Sequence, residues 1–208
     1  MGTVTTEKTF YLASRSPRRR ELLKQVGLDF EMLLLRSDPR RGVDVDETPL
    51  AGEPPLDYAL RIARRKAEVG VHVSGLRSLR AKPVLAADTT VVLGDRIIGK
   101  PADRDDAVGI LNDLSGRTHQ VISVVAMAFR DRSEERVSIS NVTFRQLKPA
   151  EIDWYVATGE PMDKAGAYGI QGRAAMFVTK IEGSYSGIMG LPLAETTELL
   201  QRFGISVL

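Results

Sequence analysis

The residues with chemistry to offer sit in separate stretches of the chain. The first is LAADTTVVLGDRIIGKP, residues 85–101, where an apolar run breaks at Asp88, Thr89 and Thr90 and returns to Gly99, Lys100 and Pro101. A strand without polar alternation is covered on both faces. The expectation is that Asp88 emerges at the strand's end, where α/β folds place ligands; a turn residue capping the strand gives the same pattern. The second stretch is Ser16-Pro17, which starts a helix with Ser16 at N-cap and Pro17 at N1. Its first turn holds Arg18, Arg19 and Arg20, where the positive end of the helix dipole disfavours cations. An anion docked on that terminus resolves the conflict; a solvated basic turn is the alternative. A third stretch, the loop 36–55, carries Asp44, Asp46 and Glu47, acids that prove little alone. Lys66 lies at the seam of an amphipathic helix, within reach of a cleft. Cations and carboxylates spread over several loops suit polyphosphate chemistry: the cations hold phosphates, the acids hold a divalent metal, and one acid activates water.

Composition closes other routes. There is no cysteine, which excludes disulfides, thiolate nucleophiles and Cys-ligated zinc. The only histidines are His72 and His119, in unrelated contexts, so any metal is a hard ion on oxygen ligands. A net charge of +2 gives no argument for stable nucleic-acid binding or a membrane surface. MGTVTTEKTF lacks the layout of a signal peptide and no apolar run approaches membrane-spanning length; the expectation is a cytoplasmic protein. The glycines at 166, 169 and 172 lead into a strand, unlike a dinucleotide fingerprint, and GDRIIGKP lacks the GK[ST] ending of a P-loop. Ser14 and Ser16 have no histidine partner for acyl transfer.

The elements that must position these residues can be read in order. Residues 10–14 form a buried strand, and the helix after Ser16 turns Leu22, Leu23 and Val26 inward and stops at Gly27. A strand follows at 30–35, then the loop 36–55, long enough to be functional. Residues 55–71 form an amphipathic helix with Tyr58, Ile62 and Val69 inward, followed by a basic linker at 75–82. Gly94-Asp95 makes a tight hairpin between VVL and RII. Asp103 caps a helix through Leu114, with Asp105 and Asp106 favouring its N-terminus. Residues 120–129 and 137–147 pair as antiparallel strands. A helix at 149–158, a glycine-rich loop at 165–172, a strand at 176–181 and an amphipathic helix at 193–203 complete the chain.

Taken together, ASRSPRRRELL (13–23), DE (46–47), RIARRKA (61–67), AADTTV (86–91), GKP (99–101), LSGRTHQV (114–121), DKAGAYGIQG (163–172) and GLPL (190–193) resemble the Maf family of nucleoside triphosphate pyrophosphatases. The motifs run collinearly from about residue 10 to 203. SPRR with AGAYGIQG is similar to the dTTP/UTP pyrophosphatase branch. The resemblance implies an ITPase-like α/β fold: a mixed, elongated twisted sheet with flanking helices, in one domain over 1–208 with two lobes about a central cleft. It implies Asp88 as proton acceptor and Arg18, Thr89 and Gln171 as specificity positions; Ser14, Arg19, Lys66 and Lys100 are expected beside them as further substrate contacts. It also implies a pyrimidine nucleoside triphosphate substrate, dependence on a divalent cation (Mg²⁺, Mn²⁺ or Co²⁺) and, as is frequent in the family, a homodimer; the expectation for the cation's ligands is Glu47 and Asp88. The amide of Gln171 can match N3–H and O4 of uracil or thymine, and a flipped amide matches cytosine. A fixed donor from Arg18, Thr89 or backbone N–H groups is needed to separate the two. The departures are a longer N-terminal tail, 1–9, expected to be flexible, and a longer basic loop near Arg40 and Arg41. The rival functions are pyrophosphatase action on a modified purine nucleotide, and nucleotide sensing by a cell-division regulator.

Overall fold

The computed structural model describes residues 9–38 and 42–207. The expected tail, apart from Thr9, and the basic pair Arg40–Arg41 lie outside the described residues. In chain order the elements are β1 (Phe10–Leu12), α1 (Pro17–Gln25), β2 (Phe30–Met32), β3 (Ser37–Asp38), β4 (Gly42–Val43), α2 (Pro55–Leu76), β5 (Val84–Leu93) and β6 (Arg96–Ile98). There follow α3 (Arg104–Leu114), β7 (Thr118–Phe129), β8 (Arg132–Phe144), α4 (Pro149–Ala157), β9 (Val178–Glu182), α5 (Tyr185–Ile188) and α6 (Leu193–Arg202).

The main sheet is mixed, in the order β2-β1-β5-β7-β8-β9, with β6 folded back on β5. β1 runs parallel to β2 and β5, and the remaining pairs are antiparallel. β5 is apolar without alternation because both its faces are buried. Leu85, Ala87 and Val91 enter one core with α1, α3, α4 and α6, while Val84, Ala86 and Val92 enter a second core under α2. Period-two alternation across one strand thus separates two helix layers. No helix among the described residues is long and apolar enough to cross a membrane.

Asp88 is not at a strand end: it lies in mid-strand, and β5 continues to Leu93. The opening is lateral. Along one edge of β5, β1 pairs only at Val84 and Leu85, and β6 pairs only at Val91, Val92 and Leu93. Residues 86–90 lie between these two partners, and the chain leaving β1 turns there into α1. The ligand-sized gap therefore comes from a missing neighbour on the strand's flank.

Other boundaries also moved. β2 stops at Met32, and Val26 is exposed beyond α1. α2 continues past residue 71 through Gly75 to Leu76, absorbing the start of the expected linker. The loop 36–55 contains the short β3–β4 pair. β8 begins at Arg132, not 137, after a turn in which Arg130 takes a positive φ of 54°. Its charged start lies outside the expected strand 137–147, yet Arg132 pairs with Glu134 and Arg136 with Glu198 of α6 at 2.7 Å. The loop 165–172 includes a short 3₁₀ turn, and Met176 lies in another that ends at Phe177, so β9 starts only at Val178.

Candidate active site

A cleft of about 790 Å³ opens at the unpaired flank of β5. Ser14, Arg18 and Arg19 line it from the β1–α1 junction, Glu47 from the loop before α2, Lys66 from α2, Asp88 and Thr89 from β5, and Lys100 from the segment after β6. The sequence stretches singled out for chemistry therefore meet.

Lys66 is central. Its Nζ donates to Asp88 Oδ1 at 2.9 Å and lies 3.1 Å from Glu47 Oε1. Asp88 is buried and its other oxygen accepts from Thr90 Oγ1 at 3.1 Å. Glu47 is 54% exposed at its side chain, so one acid is anchored in the sheet and the other faces solvent. The loop bearing Glu47 is tied to α2. Tyr58 Oη donates to the Glu47 carbonyl at 3.0 Å, and Arg61 forks onto Glu53 at 2.6 Å while reaching Thr48 O at 3.1 Å. Burial, then the Asp88 and Glu47 carboxylates, push the Tyr58 phenol up to about 12, which keeps it a neutral donor.

These two carboxylates share one ammonium and so stand within reach of a single cation. Among the described residues, no group of three or more His, Cys, Asp or Glu converges as a metal site. Their hard oxygen donors fit Mg²⁺, Mn²⁺ or Co²⁺ where a polyphosphate and water fill the remaining positions, which is how such ions bind nucleotides.

Across the cleft, α1 begins as its sequence requires, with Ser16 at N-cap and Pro17 at N1. The Ser16 side chain makes no capping bond. The nearby hydroxyl that is engaged is Ser14: its Oγ accepts from Ser16 N at 3.2 Å and from Arg19 Nη1 at 3.3 Å. With both lone pairs used, its proton is free for a ligand acceptor. Arg19 is further fixed by Nε to Gly190 O at 2.7 Å and Nη2 to Thr89 Oγ1 at 3.3 Å. Burial holds its pKa below the usual arginine value; Asp88 and Glu47 oppose that effect and Arg18 adds to it. Arg20 is exposed and is not among the residues lining the cleft.

Gln171 is exposed and is also outside the cleft lining, although its neighbours Tyr168 and Gly169 line it. It sits in a turn closed by Gly172 N to Gly169 O at 2.9 Å. Glu160 braces that turn, accepting from Tyr155 Oη at 3.0 Å and Arg173 N at 3.2 Å. Sequence reasoning gave no role to Asp163 and Lys164, which line the cleft even though the DKAGAYGIQG motif contains them. Burial raises the Asp163 pKa, but Lys164 and then Arg18 outweigh it and hold the carboxyl below its usual value.

A family profile described as "Maf-like protein" matches residues 9–203. Proteins named dTTP/UTP pyrophosphatase are similar along nearly the whole chain. The one from Aromatoleum aromaticum is 59% identical, covering 93% of this chain and 95% of that protein. Those from Dechloromonas aromatica and Nitrosomonas europaea are each 54% identical, covering 93% and 95% of this chain and 96% and 95% of theirs. Among solved structures, the Ham1 protein of Staphylococcus aureus is 17% identical with a TM-score of 0.46, covering 94% of this chain and 97% of that one.

Proposed function

The chain belongs to the Maf family, and from that footing we propose that it hydrolyses dTTP and UTP, with dUTP or modified pyrimidine nucleotides as further substrates, to the monophosphate and pyrophosphate. The observation that carries this reading is the contact of Lys66 with both Glu47 and Asp88 in a cleft also lined by Arg18, Arg19 and Lys100. Carboxylates with oxygen donors for a metal face cations for phosphates, the pairing that metal-assisted phosphoryl chemistry uses.

In this mechanism Asp88 accepts a proton from the water that attacks the α-phosphorus. The new P–O bond forms as the bond from that phosphorus to the bridging oxygen breaks, and pyrophosphate leaves with the electron pair. Thr90 and Lys66 hold the two oxygens of Asp88, fixing the direction in which it takes the proton. Arg18, Arg19, Lys66 and Lys100 offset the charge that develops on the phosphates. Ser14 donates its free proton to a phosphate oxygen. Glu47 and Asp88 would hold a divalent cation, Mg²⁺, Mn²⁺ or Co²⁺, which would supply charge withdrawal from the phosphate oxygens. Thr89, Gln171 and Arg18 select the base, with Gln171 reaching the nucleotide only if its turn moves toward the cleft. The reading extends to one two-lobed domain acting as a homodimer in the cytoplasm, a house-cleaning enzyme of the nucleotide pool.

The test is turnover of a panel of dTTP, UTP, dUTP, CTP, GTP and ITP with each cation, with pyrophosphate and orthophosphate measured separately. Metal-dependent pyrophosphate release led by the uracil and thymine nucleotides supports the reading. A preference for ITP or GTP points to a purine house-cleaning enzyme, and tight UTP binding without turnover to a sensor. Either result displaces the proposal.

A further inference from the structure

Ser123 takes no part in the mechanism above, yet it controls a residue that does. It is fully buried on β7, directly across from Thr89 on β5. Its Oγ lies 2.6 Å from the carbonyl oxygen of Gly187. A carbonyl only accepts, so the Ser123 proton is committed there. Thr89 Oγ1 is 3.1 Å from Ser123 Oγ, and with the serine proton used, Thr89 must be the donor in that contact. Arg19 Nη2, which has only protons to give, reaches Thr89 Oγ1 at 3.3 Å. The other acceptor within reach of the Thr89 proton, Gly190 O, is farther at 3.4 Å, and a proton turned there would leave the 3.1 Å contact with Ser123 as two oxygens with no hydrogen between them. The chain of bonds thus has one direction: Arg19 to Thr89 to Ser123 to Gly187.

We propose that Ser123 is a positioning residue that makes Thr89 an acceptor toward the nucleotide. Thr89 lines the cleft, its proton points back to Ser123, one lone pair receives Arg19, and the other is left for a donor on the ligand. Thr89 is therefore not the fixed donor that separates uracil and thymine from cytosine. An acceptor at this position favours a nucleotide group carrying hydrogen: the imide N3–H of uracil or thymine, which cytosine lacks, or the sugar 3′-hydroxyl. A ligand lacking that hydrogen sets lone pair against lone pair, which a buried polar site penalises. The inference rests on the cleft holding a pyrimidine nucleotide, as proposed above.

The experiment is calorimetric binding of α,β-methylene analogues of UTP, CTP and 3′-deoxy-UTP to the full chain and to Ser123→Ala, Thr89→Val and the double variant. The full chain is expected to prefer UTP over at least one of the other two. Ser123→Ala should narrow that preference by about 3- to 10-fold, the scale of one hydrogen bond. The double variant should narrow it no further than Thr89→Val alone, because Ser123 acts through Thr89. Narrowing confined to the CTP comparison assigns the donor to the imide; narrowing confined to the 3′-deoxy comparison assigns it to the sugar. A Ser123→Ala protein that keeps its preferences, additive losses in the double variant, or a wild type without preference overturns the inference. Selective binding of the analogues together with no pyrophosphate release from UTP itself in the turnover panel defeats the proposed reaction and leaves this inference standing; absence of nucleotide binding defeats both.

Discussion

A carboxylate acts as a proton acceptor only when its neighbours fix its direction without taking its lone pairs entirely, and Asp88 meets that condition with one oxygen on Lys66 and one on Thr90. Asp88→Asn keeps the size and one acceptor but removes the base. We expect kcat to fall about 10²- to 10⁴-fold from loss of the base, with a further loss in cation-dependent nucleotide affinity because Asp88 is also assigned to the cation; stopped-flow pyrophosphate release, and equilibrium binding with and without the cation, separate the two quantities. Lys66→Met should act differently. It removes a cation from between two acids, and the scale of a charge-assisted hydrogen bond predicts a loss of about 10- to 100-fold in kcat/KM. Undiminished kcat/KM in that variant would remove Lys66 from the site. At this scale the sequence was informative about residue identity and poor about direction. Arg18, Arg19, Lys66 and Asp88 stood out as charges without a surface reason. Ser123 gave no signal, because its role depends on a cross-strand register and on which oxygen holds a proton.

Elements place these groups by how closely they approach, and α2 approaches β5 closely because of Gly70. A Cβ built there would lie 2.6 Å from Val84 Cγ1. Gly70 is one helical turn from Lys66, and Val84 is four residues before Asp88 on the same face of β5, so this contact sets the distance that Lys66 must span. Gly70→Ala should therefore cost about 1–3 kcal/mol of stability by overpacking, read by urea unfolding, and should lower kcat/KM as well. A stable, fully active Gly70→Ala protein would show that the helix can shift without consequence. A second close approach pins the loop of residues 165–172: Gly166 has a φ of 73°, and a Cβ would meet Val91 Cγ2 at 2.9 Å. The long periodic elements were legible, since α2, α3, α6 and β5 follow their apolar patterns. What misled was charge at the start of β8, where ion pairs with α6 replace the loop that such residues suggest, and the length of β5 beyond Asp88. An open strand flank depends on which neighbours stop short, a property of the whole sheet that no local pattern encodes.

The whole molecule carries a pH dependence that the site alone does not. Burial lowers the pKa of His119 from its usual 6.5 to about 4; its Nε2 contacts Tyr168 Oη at 2.8 Å and its Nδ1 has no partner. Because the unfolded chain binds a proton more readily than the folded one, the contribution of this group is complete above about pH 6.5 and is lost as pH falls toward 4. The loss is on the order of 3 kcal/mol. Unfolding by urea at pH 7.5 and pH 4.5 should show most of that difference, and His119→Phe should flatten it; an equal slope in the variant would place the acid sensitivity elsewhere. Below that range the carboxylates of Glu134 and Glu151, held at about 2 by paired arginines, extend the decline between their ordinary 4.5 and about 2. The collinear motifs made the family legible from sequence, whereas the acid-sensitive core was not, since an isolated histidine reveals nothing about what surrounds it. The central claim concerns the cleft as a whole: water is directed by Asp88 to the α-phosphorus of a pyrimidine nucleoside triphosphate. Hydrolysis of UTP in ¹⁸O-water, followed by ³¹P NMR, tests it most directly. The account predicts one ¹⁸O in UMP, unlabelled pyrophosphate, and loss of both products in Asp88→Asn; label in pyrophosphate or orthophosphate, or full turnover by the variant, would contradict it.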